Sequence, residues 1–493
     1  MIENIWEKVT KCVNIVSKNI PTDEILGIGF DATCSLVLID ENLKPLTASP
    51  TKNSSQNVIM WMDHRAEMEA DFINSKNHDI LKYVGGKVSL EMEVPKLLWL
   101  KKNLADESYN KIHLAFDLPD YLTWKATGEE TRSACSVTCK WNYDAIYGKW
   151  SNDYFDSIGL QELNDNNHGK IGSKIQSPGF RIGNGLSDKA AKELGLLAGT
   201  AVGTSMIDAH AGAIGMLGSR SQNITDSEFS SKLVLIAGTS TCHMSVTKDI
   251  LYSPGIWGPY KHALLSGYYL SEAGQSATGI LIEHILKTHP AYQNVMATMT
   301  EANIYDHLYN KIMEKAAMLK LNSYHELTNS IHIWPDYHGN RSPISNSSLK
   351  GMINGLTMED DIYVVYLATI QSLVYGTKYI IESLYESGRK PFKTILICGG
   401  LSKNMLFNKC HADICSVPVL ISNEPECVLL GSAMLGAAAS GYYKDLETAI
   451  QQMSSSAQIV EPDPNSYKYH SKKYKVFLKM LDLQLESINI MNS

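Results

Sequence analysis

Two stretches of this chain carry residue types that could do chemistry together. Asp208 stands among small residues in Ser205-Met206-Ile207-Asp208-Ala209-His210-Ala211-Gly212. Downstream, Leu235-Ile236-Ala237-Gly238-Thr239-Ser240-Thr241 reads as a strand closing in a Gly-Thr-Ser-Thr turn. Such a turn offers backbone N–H groups and hydroxyls to a phosphate. A carboxylate nearby can take a proton from an alcohol or hold a metal ion. Phosphoryl transfer to a hydroxyl is the chemistry this pair points to.

Other stretches could complete such a site. In Ile395-Leu396-Ile397-Cys398-Gly399-Gly400-Leu401-Ser402-Lys403-Asn404 a buried strand runs into two glycines and a helix beginning near Ser402. That pattern suits a nucleotide wall, because glycines admit a ligand to the backbone and a helix N-terminus favours anions; it is equally a routine strand-to-helix turn. Ser271 to Gly279 reads as a small-residue turn into a helix. There Glu272 either binds a sugar hydroxyl or is a helix-start carboxylate favoured by the dipole. Lys140, beside Trp141 and after a Ser/Thr/Cys-rich strand, either orients a polyol or snorkels at the surface. Asp63 reads as the N-cap of a helix running to about Asn74, with His64 and Arg65 facing substrate or solvent. The polar loop Trp334 to Pro343 lines a cleft or ties down a long connection.

The surrounding elements argue for an α/β architecture. Residues 3–19 form an amphipathic helix stopped by Pro21, followed by a buried strand at Ile25–Phe30 that Ser35–Ile39 pairs with or continues. Strand Asn57–Met60, helix Pro95–Asn103 and helix Leu118–Thr127 ended by Gly128 come next. A strand at Ala201–Gly203 leads to Asp208 and a small-residue helix over Ala209–Leu217. After a patternless stretch at 218–228, taken as an inter-domain crossover, the second half echoes the first with strands at 232–237, 242–247 and 393–398 and a long helix near 357–388. Strands alternating with helices imply substantial parallel pairing. Val428–Gly441 is Gly/Ala-rich and reads as a packed helix.

Bulk properties exclude several classes. A chain of 493 residues has room for two or three domains, and at 44% hydrophobic it can bury an ample core. A net charge of −8 without a basic patch argues against nucleic acid as a partner. No apolar run reaches the ~18 residues of a membrane span, and no signal peptide is evident, so a cytoplasmic protein is expected. The nine cysteines include no CxxC; Cys135 and Cys139 stand four apart, yet no His pair completes a zinc set, so reduced and partly buried thiols are expected. GxxxxGK[ST], HRD/DFG, GxSxG and HExxH are all absent.

Together Gly29-Phe30-Asp31-Ala32-Thr33-Cys34, Trp61 to Ala66, IDAHAG around Asp208, Gly238-Thr239-Ser240, EAGQSATG, PDYHGNRSP and CGGLSKN resemble the FGGY carbohydrate kinases, in particular their ribulokinase-like branch, over essentially the whole chain. The resemblance implies an actin-like ATPase (ribonuclease H-like) fold of two α/β lobes, with ATP, Mg2+ and a sugar meeting in the cleft. It implies residues 1–222 as the sugar-binding lobe, 223–445 as the nucleotide-binding lobe and 446–493 as a helical tail packing back on them. It implies phosphorylation of a pentulose, D-ribulose above others, to the 5-phosphate. By the same resemblance Asp208 is the general base and a metal ligand; Asp31, Thr33, Cys34, Lys140 and Glu272 hold the ketose; and Gly238, Thr239, Gly274, Thr278, Gly400, Leu401 and Asn404 contact the nucleotide. Sugar and ATP are the expected partners, nucleic acid and membrane are not, and homo-oligomerisation is left open. The family's D-x-G-T-[ST] turn, its first phosphate loop, does not occur here, so the first lobe is expected to be truncated at its start. A catalytically impaired sugar- or nucleotide-binding paralogue, or a truncated isoform, is the alternative function.

Overall fold

The computed structural model describes residues 1–221, 224, 228–358 and 361–493. The crossover expected at 218–228 falls partly outside these residues.

In the first half, Leu36–Ile39 is buried along its whole length, as its unbroken apolar run requires. It pairs antiparallel with Leu114–Asp117 on one side and Val58–Ile59 on the other. It therefore does not pair with the preceding strand, contrary to the sequence reading. That preceding segment is instead two short strands, each parallel to a distant one. Gly27–Ile28 lies beside Ala201–Val202, and Asp31–Ala32 beside Met206–Ile207. The second pairing sets Asp31 next to the residues that lead into Asp208. Leu118–Thr127 forms as expected. Asp117 caps it by accepting from Leu118 N at 3.2 Å, Pro119 sits in its first turn, and Gly128 closes it in the left-handed conformation at φ 79°.

Three local expectations fail for identifiable reasons. The helix after Trp61 begins at Glu67, because Asp63 turns its carboxylate back on Arg65 instead of capping. Cys135 to Lys140 lies on a helix, Ala134–Lys140, rather than a strand. Its β-branched residues are outvoted by Ser133, whose hydroxyl accepts from Cys135 N at 3.2 Å as an N-cap. Glu272 lies mid-strand in Tyr269–Gln275, and the helix after it starts only at Gly279.

The second half is built on a seven-stranded sheet. Its order is Trp257–Lys261, Tyr269–Gln275, Thr241–Thr247, Lys232–Ala237, Thr394–Cys398, Val419–Ser422, Ala457–Val460. Lys232–Ala237, Thr394–Cys398 and Val419–Ser422 run parallel, and the other pairs are antiparallel. The segment after 445 is thus not only helical, since Ala457–Val460 supplies the sheet's last strand. Behind the sheet runs the 25-residue helix Ile362–Glu386. It is long and apolar enough to span a membrane, which the sequence reading denied of every stretch, but 78% of its apolar window is buried. Leu367 and Ile370, fully buried there, make it a core helix.

The two halves meet along a seam of small residues. Asp208–Leu217 packs against Cys427–Ala439, the apolar helix read from Val428–Gly441. The backbones touch: a methyl group on Gly431 would overlap the carbonyl of Ala211, and one on Gly215 that of Cys427. Side-chain-free crossings of this kind let Asp208 approach the second half closely.

Candidate active site

Asp208 opens the helix that packs on the second half. It is half-buried, and its Oδ1 accepts from Ala209 N at 2.7 Å. The neighbouring Asp31 accepts a hydrogen bond from Ser432 Oγ. Burial lifts the Asp31 pKa to about 6, the Ser432 bond opposes that, and the Asp208 charge adds to it. The two carboxylates are thus close enough to act on each other.

A polar lock fixes Asp208 relative to Lys140. Asp120 Oδ1 accepts from Ser205 Oγ at 2.7 Å and from Ser133 N at 2.9 Å, while Ser133 Oγ donates to Ser205 O at 2.6 Å. Ser133 caps the helix that ends in Lys140, and Ser205 precedes the strand Met206–Ile207 that leads into Asp208. The buried Lys140 ammonium stands 5.4 Å from the centre of the Trp257 ring. Burial opposes its charge, but Cys34 and Glu272 outweigh burial and raise its pKa. Glu272 reaches the same space from the far lobe, with its Oε2 3.4 Å from His210 Nε2. Burial would raise its pKa; the charge of His210, with those of Lys140 and Arg341, reverses this and holds it at about 2. For His210 burial likewise works against the cation, while Cys135 and Glu272 lift its pKa to about 10. The result is a buried charge cluster in which the Glu272 carboxylate serves two cations, Lys140 and His210.

The strand ends above it are bare backbone. Lys232–Ala237 and Thr394–Cys398 are parallel neighbours with Ile236 opposite Cys398, so Gly238 and Gly400 emerge side by side at their C-terminal ends. Gly238 and Gly400 both have room where a side chain would stand. Ligands of open α/β sheets bind at such strand ends. Thr278 braces the first turn from behind: its N–H donates to Thr239 O at 2.9 Å and its Oγ1 to Gly238 O at 3.1 Å.

The remaining candidates are placed as follows. Cys34 is buried near Lys140, which lowers its thiol pKa against the stronger raising effect of burial. Thr33 Oγ1 lies 3.3 Å from Ser35 Oγ. Gly274 leaves room for Arg341, whose Cδ would be 2.9 Å from an added methyl. Leu401 is buried in the second-half core, and Asn404 caps the Met405–Cys415 helix by accepting from Phe407 N at 3.2 Å. The side chains of both are therefore committed to the scaffold. The open question of the Trp334–Pro343 loop is resolved by Arg341, which donates to Glu91 at 3.2 Å and contributes to holding Glu272 ionised. Sequence reasoning assigned nothing to His210, Arg341 or Trp257; the first two lay inside quoted motifs, but no local pattern named their partners. A groove of about 1120 Å3 elsewhere, between the first helix and the loops at 48–65, touches Thr33 but not Asp208, Glu272 or Gly238.

Comparison with known proteins explains this arrangement. The N-terminal domain of the FGGY family of carbohydrate kinases matches residues 1–215, and its C-terminal domain matches residues 233–440. This chain belongs to the FGGY family of carbohydrate kinases. It is 44% identical to the human FGGY carbohydrate kinase domain-containing protein over 99% of this chain and 90% of that protein. It is 37% identical to a D-ribulokinase of Saccharomyces cerevisiae over 92% of this chain and 68% of that protein. The two-lobed fold is that of solved sugar kinases. Gluconate kinase from Lactobacillus acidophilus superposes with a TM-score of 0.78 at 17% identity, over 98% of this chain and 89% of that one. Plasmodium falciparum glycerol kinase with ADP gives 0.73 at 18% identity, over 98% and 88%. As an FGGY carbohydrate kinase the protein is a phosphotransferase acting on a sugar alcohol group.

Proposed function

We propose that the protein phosphorylates a pentulose, D-ribulose giving D-ribulose 5-phosphate, at the expense of ATP. The observation that carries this is the buried pair of opposite charges, Lys140 and Glu272, which together with Asp208 act on the thiol of Cys242 just past the Gly238 turn. A ketose presents several hydroxyls and a carbonyl to be held at once, and a fixed cation and anion recognise both acceptors and donors. The D-ribulokinase relative supports ribulose among the ketoses. In this reading residues 1–222 hold the sugar with Asp31, Thr33, Cys34 and Lys140, joined by Glu272 from the lobe over 223–445. Free cysteines throughout suit a reducing cytoplasm.

Asp208 takes the proton of the terminal hydroxyl as its oxygen bonds to the γ-phosphorus and the bond to the departing ADP breaks. The N–H groups and hydroxyl of the Gly238-Thr239 turn and the backbone at Gly400 hold the phosphate oxygens, and Thr278 keeps that turn from relaxing. Asp208 and the neighbouring Asp31 are hard oxygen donors of the kind that would hold Mg2+; such an ion, when bound, would neutralise charge on the phosphates.

Asp208→Asn keeps the shape and removes the base. Turnover, followed as ADP release with a panel of pentuloses and polyols, should fall by about 10²–10⁴-fold while calorimetry still detects sugar binding. Unchanged turnover would remove Asp208 from the mechanism. Faster ADP release with another sugar than ribulose would reassign the substrate.

A further inference from the structure

The sequence offered two cysteines four apart and no histidine pair to go with them. The fold supplies the missing ligand. Cys135 and Cys139 stand one turn apart on the Ala134–Lys140 helix, so their thiols share a face. The first turn of the Asp208–Leu217 helix brings His210 against that face. One ligand atom from each of the three lies within 4.8 Å of the other two, and Cys139 Sγ is 3.8 Å from His210 Nε2. None of the three exposes more than 1% of its surface.

A tetrahedral ion with bonds of about 2.3 Å to sulfur and 2.0 Å to nitrogen needs ligand atoms about 3.6–3.8 Å apart. The observed spacing thus requires at most a contraction of about an ångström. A further observation points inward. The buried Oε2 of Glu272 has no hydrogen-bond partner and lies 3.4 Å from His210 Nε2, close to the edge of the same tetrahedron. Three close-packed titratable groups are a costly way to fill a core, since apolar side chains of the same volume would do so without desolvation.

We propose that Cys135, Cys139 and His210 form a binding site for a thiophilic divalent d10 cation of the zinc class, with Glu272 within reach as a fourth donor. Soft sulfur donors beside an imidazole select this class over Mg2+. The step is an exchange without redox change. Two sulfur–metal bonds and one nitrogen–metal bond form, any protons on those atoms pass to water, and the metal's waters leave. The site is separate from the hard oxygen donors Asp31 and Asp208. Its consequence for catalysis rests on the proposed role of Glu272 in holding the sugar. An ion at His210 draws Glu272 towards itself and away from the ketose, so loading weakens sugar binding and leaves ATP binding as it was.

The test uses the folded full chain, dialysed against a chelator and titrated with Zn2+, then with Co2+. One ion per chain is expected, with the intense visible bands and thiolate charge transfer of tetrahedral cobalt. Cys135→Ser and Cys139→Ser should each weaken binding by about 10–100-fold or more, while Cys12→Ser on the exposed first helix leaves it unchanged. Less than one ion per chain, or a double Cys135→Ser/Cys139→Ser variant that binds as well as the parent, overturns the site. Should either serine variant fail to fold, X-ray absorption on the zinc-loaded parent decides instead: two sulfurs with nitrogen or oxygen sustain the assignment, and none or four refute it. In a parallel assay zinc should raise KM for the sugar several-fold, reversibly by chelator, without changing KM for ATP. Binding with an unaltered sugar KM refutes the coupling to Glu272 alone. Absence of pentulose kinase activity in the metal-free chain would instead strike the functional reading and leave the metal site standing.

Discussion

The two walls of the cleft are made of different materials. The wall around Gly238 and Gly400 is backbone: two strand ends, glycines with empty space above them, and a threonine bracing the turn from behind. The wall around Lys140 and Glu272 is side chain: a cation over Trp257, an ionised carboxylate and an imidazolium, all buried. Backbone N–H groups present the same donors whatever the sequence, which suits a phosphate common to every reaction of this family. Buried charges must be paired and cannot rearrange cheaply, which suits discrimination among hydroxyl configurations. Substitutions on one wall should therefore change the sugar's parameters and on the other the nucleotide's.

The sharpest way to break this comparison is Glu272→Gln. It keeps volume and removes the charge, leaving the buried imidazolium of His210 and the ammonium of Lys140 short of a counter-ion. The expected loss in kcat/KM for the pentulose is about 10²–10⁴-fold, with KM for ATP changed little. Equal damage to both substrates would mean that Glu272 organises the whole cleft. The linkage has a definite sign. The carboxylate's pKa is depressed from 4.5 to about 2, so its stabilising contribution is whole above pH 4.5 and is lost as pH falls towards 2. His210 is raised from 6.5 to about 10, so its contribution is whole below pH 6.5 and fades as pH climbs through 10. Thermal unfolding should accordingly soften at both extremes, and the Glu272→Gln variant should show a shallower acid-side dependence.

Adjacent glycines test the backbone wall. Gly399 has φ 87° and ψ −176°, a region essentially closed to other residues, and a methyl there would stand 2.5 Å from Ala237 O. Gly399→Ala should cost about 1–3 kcal/mol or more in unfolding free energy. Gly400 has nothing within 4 Å of an added methyl. Gly400→Ala should leave the melting temperature unchanged and raise KM for ATP by about tenfold, since the methyl enters space left for the phosphate. A Gly400→Ala variant with normal ATP kinetics would show that the phosphates lie elsewhere.

The same division explains what could be read from the chain before it folded. The backbone wall was legible because its signals are local. Lys232–Ala237 and Thr394–Cys398 are apolar runs ending in glycine, and Leu118–Thr127 carries its own cap, proline and terminal glycine. The side-chain wall was legible only as a set of types. Lys140 and Glu272 could be named as candidates, but each was placed on the wrong element. Ser133 decided for a helix over a Cys/Thr/Val-rich run, and a strand carried Glu272 past the point where small residues suggested a turn. Nothing within ten residues of His210 foretells Glu272 or Cys139; the parallel pairing of Asp31–Ala32 with Met206–Ile207 and the Asp120–Ser133–Ser205 lock bring them together. Such long-range polar pairing has no period to detect.

The smallest expected effect comes from the residue that stands between the walls. Asp31 is raised from 3.8 to about 6, chiefly by burial, so it gains a proton within the range where the enzyme can be assayed. Below pH 6 the neutral acid no longer sets a second negative charge beside Asp208, and activity should decline as pH falls through that value. Asp31→Asn fixes the neutral state: activity at pH 8 should drop several-fold, to about what the parent shows at pH 5, and the inflection near pH 6 should vanish from the profile of kcat against pH. If the inflection survives the substitution, another group titrates there and Asp31 is only the hydrogen-bond partner of Ser432, tying the first lobe to the Cys427–Ala439 helix.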